Sequence, residues 1–350
     1  MRVGLVLYGD IDGRSGGFLY DREIVRRLRA RGVVVEVLSL PWREQLSTAI
    51  ADDLRSPQLE RGDEFDVLLQ DELAHRSLTL TNRRLDTPTV ALVHMLRWPT
   101  CSGPERRVAR AIERGYLTGV DGFVFNSRAT KRAVAGVTDP SPSVVAYPAG
   151  DRFDVGIDAE TIRSRAHADP LRVVFLGNVI RRKGLDTLLD GLARLRSPWR
   201  LTVVGDLGVE PDYVREIRGL IERLGVRDRV ALAGGVSDEA LVDVLRESHV
   251  IALPSRYEPF GIALLEGMCA GLVPLATTAG GPPEFVGHGE NGLLVPPEEP
   301  TAITRVLEPI ATDRDRLAAM GVAAHERAGE HPSWAETADR VHGLLRRVVG

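Results

Sequence analysis

The feature that most constrains this chain is a repeated alternation of short β-branched runs with amphipathic helical patterns. Strand-like runs lie at 2–8, 33–38, 66–69, 89–94, 122–126 and 143–147, and again at 172–176, 200–204, 230–233, 250–253 and 273–276. Strands that alternate with helices are typical of parallel α/β sheets. A polar stretch from 148 to 170 separates the two sets. The sequence therefore predicts two doubly wound α/β domains.

Length and composition agree with two enzyme-sized domains and exclude some classes of protein. The chain has 350 residues, 43% of them hydrophobic and 27% charged, which is ordinary for a soluble enzyme. A net charge of -4 disfavours a nucleic-acid partner. The two cysteines, Cys101 and Cys269, have no metal-site spacing and indicate a reducing compartment. Without a signal peptide or a long apolar stretch, we expect a cytoplasmic protein.

The segment from 251 to 297 is the most informative about function. Glu266 lies in an otherwise apolar run, and no basic residue lies between Arg256 and His288. A buried carboxylate is costly unless it is hydrogen-bonded, so a ligand rich in hydroxyls is the natural partner. The alternative is a core glutamate bound by backbone or by a distant arginine. Glu258 stands eight positions earlier, just before Pro259-Phe260-Gly261, where we expect a helix to begin at Phe260, and free N–H groups there suit a phosphate.

Gly16 and Gly17 lie between the first strand and the first helix. A glycine pair at such a junction allows the backbone to approach a ligand closely, although a tight turn also needs glycine. Asp10 and Asp12, just before it, have the D-x-D spacing of some metal sites. The same spacing recurs in a helical tail at 313–315, so we expect no metal at Asp10 and Asp12.

A second glycine junction, from Gly177 to Gly184, contains Arg181, Arg182 and Lys183. Clustered cations beside a helix N-terminus would hold a pyrophosphate and stabilise it as a leaving group, although a solvated basic turn is also possible. The chain has only one other lysine, at 131. This scarcity indicates that the compact ammonium at 183 is chosen, unless it stands there by chance.

His94 ends a predicted strand, at the edge where doubly wound sheets bind ligands. A satisfied structural histidine is the alternative. The helical stretch 104–117 contains arginines at 106, 107, 110 and 114, together with two glutamates. This pattern favours a solvated charged face over contact with a membrane surface.

The spacing Glu258-x7-Glu266, with the flanking sequences PSRYEPFG, TTAGGPPEFV and GENGLLVPP, resembles the retaining glycosyltransferases of family 4. The resemblance implies a GT-B fold, with two Rossmann-like domains facing a central cleft. An acceptor-side domain would span 1–165 and be completed by a helix at 334–350, and a donor domain would span 166–333. It also implies transfer of a sugar from a UDP- or GDP-sugar to a small-molecule, glycan or lipid-linked acceptor, with retained configuration, no cofactor and no metal.

The same resemblance implies roles for particular residues. His94, Lys183 and Glu258 would be catalytic. Donor-binding residues would be Gly16, Gly17, Gly177, Asn178, Arg182, Lys183, Val236, Glu258, Phe260, Gly261, Ile262 and Glu266. Glu266 would bind the ribose and Glu258 the donor sugar. Asn178 stands where the family often has arginine, so that charge would come from Arg182, from Arg181 or from no residue at all.

Two other functions fit parts of this pattern. One is a sugar-nucleotide epimerase or hydrolase on the same fold. The other is a non-catalytic partner subunit that binds a sugar nucleotide, which we would expect to lack Lys183 or Glu258. Both residues are present. The pattern does not specify the donor base, the acceptor or the oligomeric state.

Overall fold

The computed structural model describes residues 1–13, 15–42, 61–153 and 155–350. They form two units: Met1–Pro148 with Pro332–Gly350, and Ala149–His331. Each unit has one six-stranded sheet, and all the strand pairs are parallel. The predicted α/β class with two parallel sheets is therefore confirmed.

The first unit is built on a sheet of order β2-β1-β3-β4-β5-β6. Its strands are β1 (Arg2–Tyr8), β2 (Val34–Leu40), β3 (Val67–Asp71), β4 (Thr89–Val93), β5 (Gly122–Phe125) and β6 (Ser143–Val145). The helices between them are α1 (Gly16–Ala30), α2 (Gly103–Leu117) and α3 (Arg128–Ala135). β3, β4 and β5 are buried throughout, as expected for strands covered on both faces. This sheet therefore forms the core of the first unit.

The second unit repeats the plan with the order β12-β11-β10-β7-β8-β9. Its strands are β7 (Leu171–Leu176), β8 (Trp199–Val204), β9 (Val230–Gly234), β10 (Val250–Leu253), β11 (Val273–Thr277) and β12 (Leu293–Val295). Its helices are α4 (Ala159–Ala166), α5 (Leu185–Leu192), α6 (Pro211–Leu224), α7 (Asp238–Glu247), α8 (Ile262–Cys269), α9 (Pro300–Thr312) and α10 (Arg314–Gly329). The first strand of this unit, β7, lies in the middle of the sheet. The strand order therefore reverses beside β7, which is the position at which doubly wound folds bind ligands.

The last helix, α11 (Trp334–Val349), belongs to the first unit. Ser333 and Glu336 form a capping box at its start. Trp334 is fully buried, and Thr337 donates a hydrogen bond to the carbonyl of Tyr147 after β6. These contacts fix the end of the chain against the first sheet.

The boundaries between the units lie at 148/149 and 331/332, whereas the sequence placed them at 165/166 and 333/334. The difference concerns the segment that ends in α4. Ile162 packs so closely on Gly271 and Gly321 that a methyl group at Gly271 would lie 2.4 Å from it. Arg165 donates hydrogen bonds to the carbonyls of Ala270 and Gly271. The polar segment therefore belongs to the second unit.

No described helix is both long enough and apolar enough to cross a lipid bilayer.

Candidate functional site

The loop between β7 and α5 is shaped by glycines at both ends. Gly177 has φ +149°, and the Cε of Lys183 would lie 3.7 Å from a methyl group placed there. Gly184 has φ +71°, and a methyl group there would lie 2.3 Å from the carbonyl oxygen of Pro254. Side chains at these two positions would strain the backbone, and at Gly184 would also clash with Pro254. The loop is thus pressed against the end of β10, with Lys183 folded over its first glycine.

Lys183 and Glu258 form a buried ion pair. The Nζ of Lys183 donates to the Oε2 of Glu258 at 2.7 Å, and the Oγ of Ser255 donates to the same oxygen at 3.0 Å. Burial lowers the pKa of Lys183, despite the opposing charge of Glu258. Burial would raise the pKa of Glu258, but Lys183 and Arg182 outweigh it and the pKa is lowered. Each group therefore favours the charged form of the other.

Arg182, rather than Arg181, is the second cation at this pair. The guanidinium of Arg182 lies 3.9 Å from the Oε2 of Glu258 and donates to the carbonyl of Tyr257 at 2.9 Å. Arg181 turns outward, where it bonds Glu216. Arg182, and not Arg181, thus places a second positive charge beside Glu258.

The backbone of Glu258 is clamped by the glycines that follow β11. Its N–H donates to the carbonyl of Ala279 at 3.0 Å, and its carbonyl accepts from the N–H of Gly281 at 2.9 Å. Gly280 has φ +114°, and a methyl group there would lie 1.9 Å from the carbonyl oxygen of Glu258. Glycine is therefore required at Gly280, and the clamp fixes where the Glu258 side chain begins.

Gly261 ends the loop after Glu258 and begins α8. Its φ is +103°, so the helix starts at Ile262 and not at the predicted Phe260. Within the part of the chain that is described, no side chain caps this helix start. The first N–H groups of α8 are thus left for a ligand or water. Phe260 does not face such a ligand with its ring, which packs on Phe285 and His331.

Glu266 is buried in the second turn of α8, at 5% exposure. Among the described residues its Oε1 has no hydrogen-bond partner. Arg152, the distant arginine that the sequence left open, lies 3.9 Å away and bonds Asp238 instead. Burial raises the pKa of Glu266 to about 7, with Arg152 lowering it and Asp238 raising it. The carboxylate therefore retains an unused acceptor in a buried position.

The remaining donor-side prediction, Val236, lies half-buried between β9 and α7. The preceding Gly234 accepts a hydrogen bond from the N–H of Gly205. The structure thus brings Lys183, Arg182 and Glu258 into one cluster, and places Glu266 on the helix that follows.

In the first unit, Gly16 and Gly17 open α1, and Ser15 caps it by accepting from the N–H of Phe18. Arg22 donates to the carbonyls of the preceding loop. A methyl group at Gly17 would lie 3.5 Å from the ring of His94. The glycine turn and His94 are therefore neighbours.

His94 lies among buried acids. Its Nε2 is 2.9 Å from the Oδ1 of Asp21, and its backbone N–H donates to Glu72. Burial would lower the pKa of His94, but Asp21, Asp71 and Glu72 outweigh it and raise the pKa to about 9. Burial raises the pKa of Asp71 to about 7 and that of Glu72 well above its usual range. This cluster combines one imidazole with three carboxyl groups.

Sequence reasoning missed Asp21, Glu72, Ser255 and Arg152. A signal exists for Asp21, because it shares the buried face of α1 with Ile24, Val25 and Leu28. Arg152 and Ser255 gave no such signal, since their partners are set by the tertiary fold.

Two other predicted features are held by the protein's own atoms. The N–H of Asp12 donates to the Oδ1 of Asp10 at 3.0 Å, which is a local turn. Arg110 and Arg114 of α2 donate to the carbonyls of Gly136 and Val137. Both features thus have structural explanations.

Part of the chain is similar to a known protein family. Residues 158–327 match the family described as "Glycosyl transferases group 1". The chain is 31% identical over 251 residues to a GDP-mannose-dependent alpha-(1-6)-phosphatidylinositol monomannoside mannosyltransferase of Mycobacterium tuberculosis, a match covering 68% of this chain and 65% of that protein. It is 32% identical over 259 residues to the D-inositol 3-phosphate glycosyltransferase of Corynebacterium jeikeium, covering 70% and 61%. The match thus spans less than two thirds of these relatives' length.

Solved structures show the same fold over the whole chain. Sucrose-phosphate synthase from Thermosynechococcus elongatus superimposes with a TM-score of 0.86 at 19% identity, covering 99% of this chain and 98% of that one. HepE from Anabaena, in complex with UDP and glucose, gives a TM-score of 0.77 at 22% identity, covering 98% and 99%. The GT-B type of fold is thereby confirmed.

Proposed function

We propose that the chain belongs to the family of glycosyl transferases group 1, which residues 158–327 match, and that it transfers a sugar from a nucleoside diphosphate sugar to an acceptor hydroxyl. The observation that supports this most is the pair of Lys183 and Glu258 beside the uncapped start of α8. In this arrangement, cations and free N–H groups can bind a diphosphate, and a carboxylate can bind sugar hydroxyls.

Each half of a sugar nucleotide has a complementary group in the second unit. Lys183 and Arg182 neutralise the diphosphate as it leaves, and the N–H groups of Gly261 and Ile262 contact its oxygens. Glu258 accepts from hydroxyls of the donor sugar through Oε1, which has no hydrogen bond within the described ranges. Glu266 accepts from the ribose through its unpartnered Oε1. The backbone around Val236 contacts the base.

We propose that the reaction proceeds with retention on a single face of the sugar. The bond from the anomeric carbon to the phosphate oxygen breaks, and the acceptor oxygen bonds to the same face. The acceptor's proton passes to an oxygen of the leaving diphosphate. Glu258 is bonded to Lys183 and Ser255 and serves in binding. No metal or cofactor takes part in the proposed scheme, because Lys183 and Arg182 supply the positive charge.

The relatives guide the choice of donor. One of them is named as GDP-mannose-dependent, and HepE was solved with UDP-glucose. The donors to test first are therefore GDP-mannose and UDP-glucose, with a small-molecule, glycan or lipid-linked hydroxyl as acceptor.

The test is thermal unfolding of the full chain with GDP, UDP, ADP, dTDP and CMP, followed by turnover of the matching nucleotide sugar. A nucleotide at about 100 times its dissociation constant stabilises the protein by about 2.7 kcal/mol. A shift with one nucleotide, and release of that nucleotide faster with acceptor than without, supports transfer. Release that no acceptor accelerates would indicate hydrolysis, and binding without any turnover would indicate a non-catalytic subunit.

A further inference from the structure

Arg256 stands in the loop after β10, two positions before Glu258, and has no role in the scheme above. Its side chain is mostly buried, with 28% of it exposed. Both its backbone and its side chain bond to the segment from Arg182 to Asp186, which contains Lys183. The contacts of this one arginine therefore connect the two loops that form the candidate site.

The backbones of these two loops are bonded to each other in both directions. The N–H of Arg256 donates to the carbonyl of Arg182 at 2.8 Å. In return, the guanidinium of Arg182 donates to the carbonyl of Tyr257 at 2.9 Å. Because the two bonds lie beside Lys183 and Glu258, a shift of either loop would change the distance between that ammonium and that carboxylate.

The side chain of Arg256 extends these contacts to two further elements. Its Nη2 donates to the Oδ2 of Asp186 at 3.2 Å, in the first turn of α5. Its Nε lies 2.9 Å from the Oε1 of Glu298, in the turn before α9. Asp186 is itself fixed by Tyr213 of α6, which donates to its Oδ1 at 2.9 Å and accepts from its N–H at 3.1 Å. Arg256 is thus bonded to the helix that follows Lys183.

The backbone at Glu298 gives independent evidence that this arrangement uses its carboxylate. Its φ is 59°, and it is the one non-glycine residue with a positive φ in the part of the chain that is described. This left-handed conformation is costly for a residue with a side chain, so glycine is the ordinary choice there. A glutamate in such a position indicates that its side chain is needed, and its carboxylate pairs with Arg256.

We propose that Arg256 is a positioning residue, which pairs with Asp186 and Glu298 and thereby fixes the two loops at the separation at which Lys183 meets Glu258. It acts through these loops and does not contact the substrate. A partly exposed ion pair adds little to stability, whereas a displacement of about 1 Å near the reacting groups can lower the rate about 100-fold. Only the effect on turnover rests on the proposed function.

The position of Lys183 can be measured without a substrate, because the chain has only two lysines. NMR of the full chain with ¹⁵N-labelled lysine gives two Nζ signals, and Lys131→Arg identifies that of Lys183. Because Lys183 is bonded to Glu258, its ammonium protons should exchange with water more slowly than those of Lys131. Arg256→Met should shift the Lys183 signal and accelerate this exchange. Arg215→Met, at an exposed arginine of the same unit, is the matched control and should leave the signal unchanged.

Steady-state kinetics with the donor that the wild type uses give a second readout. Arg256→Met should lower kcat at least about tenfold, with a smaller change in KM and in the midpoint of thermal unfolding. Asp186→Asn should also lower kcat, and the double variant should be no less active than Arg256→Met alone, because the two residues act as a pair. Glu298→Gly suits the backbone but removes the carboxylate, so kcat should fall while stability is kept.

An unchanged Lys183 signal in folded Arg256→Met would overturn the proposal. A lower unfolding midpoint with unchanged kcat would do the same, since it indicates a merely structural residue, as would additive effects of Arg256→Met and Asp186→Asn. If Arg256→Met does not fold, Asp186→Asn and Glu298→Gly decide by the same two measurements. If the wild type turns over no nucleotide sugar, the proposed function fails, while the Lys183 signal still decides whether Arg256 sets the position of that ammonium.

Discussion

The junctions β1–α1 and β7–α5 have the same topology and opposite electrostatics. In the first unit, a single basic ring, His94, is surrounded by Asp21, Asp71 and Glu72. In the second, a single carboxylate, Glu258, is bonded to Lys183 and approached by Arg182. The shared fold thus places a strand end and a helix start together, but the sequence decides which charge is in excess there. Only the second junction has the sign that suits a diphosphate.

The comparison predicts that the two carboxylates of the second unit behave differently. Glu258 is hydrogen-bonded to a cation, whereas the Oε1 of Glu266 has no hydrogen-bond partner in the described structure and only the more distant Arg152, at 3.9 Å. Removing one partner of a compensated pair should cost both stability and activity. Removing an uncompensated acid should cost binding alone.

The largest effect is expected for Lys183→Ala. Loss of a group that stabilises a leaving diphosphate should lower kcat/KM at least about 100-fold. It also leaves Glu258 buried without its cation, which should cost about 3–5 kcal/mol of unfolding free energy. Activity assays and denaturant unfolding measure both.

Two further variants separate these effects. Lys131→Ala removes the only other lysine and should leave both measurements unchanged. Lys183→Met combined with Glu258→Gln should recover stability without recovering turnover. An active Lys183→Ala enzyme would eliminate its role at the leaving group.

A smaller effect is expected for Glu266→Gln. Nucleotide affinity should fall about tenfold, or about 1.4 kcal/mol, because an amide accepts less strongly from ribose hydroxyls. The free energy of unfolding of the variant should instead increase. The pKa of about 7 in the folded protein lies above the ordinary value of 4.5, so the carboxyl group stabilises the fold below pH 4.5 and this contribution is lost as pH rises to 7.

The glutamine variant should therefore lose that pH dependence and exceed the wild type in stability above pH 7. Calorimetric titration and unfolding from pH 4 to 8 give the two readouts, with the exposed Glu247→Gln as control. Unchanged nucleotide affinity would remove the ribose role of Glu266.

The smallest effect is expected for metal removal. Asp10 is bonded within its own turn, and in the proposed reaction Lys183 and Arg182 supply the charge that a metal would otherwise provide. A chelator should therefore leave turnover unchanged, as should Asp10→Asn combined with Asp12→Asn. Loss of activity that Mg²⁺ restores would instead indicate that a metal binds the diphosphate. The contrast in charge between the two junctions would then be weaker.

Local sequence patterns were sufficient for β1 to β11, and they drew attention to two residues that meet at the second junction. β1 and β10 have the predicted bounds, because continuous apolar runs identify buried parallel strands. Lys183 and Glu258 were each identified by their setting, a cation among glycines and an acid before a helix start. β12 was missed because a strand of three residues has too short a pattern to detect.

The pairings between distant residues could not be predicted from the sequence. Asp21 and His94 are separated by 73 positions, and Lys183 and Glu258 by 75. No local sequence pattern predicts that Arg152 approaches Glu266 or that Ile162 packs on Gly271. Those contacts follow from strand order and helix packing, so individual residues could be proposed in advance but not the clusters they form.

The bond between Lys183 and Glu258 has a consequence for selectivity among ligands. In the free protein each group already satisfies the other. An inorganic phosphate that binds Lys183 would break its bond to Glu258 and leave that buried carboxylate without its cation. The net binding free energy of inorganic phosphate would therefore be small. In the proposed reaction a sugar nucleotide brings the phosphate and the hydroxyls together, compensating both groups at once. The ion pair would then favour a ligand that carries both halves of the donor in one molecule over the abundant phosphates of the cell.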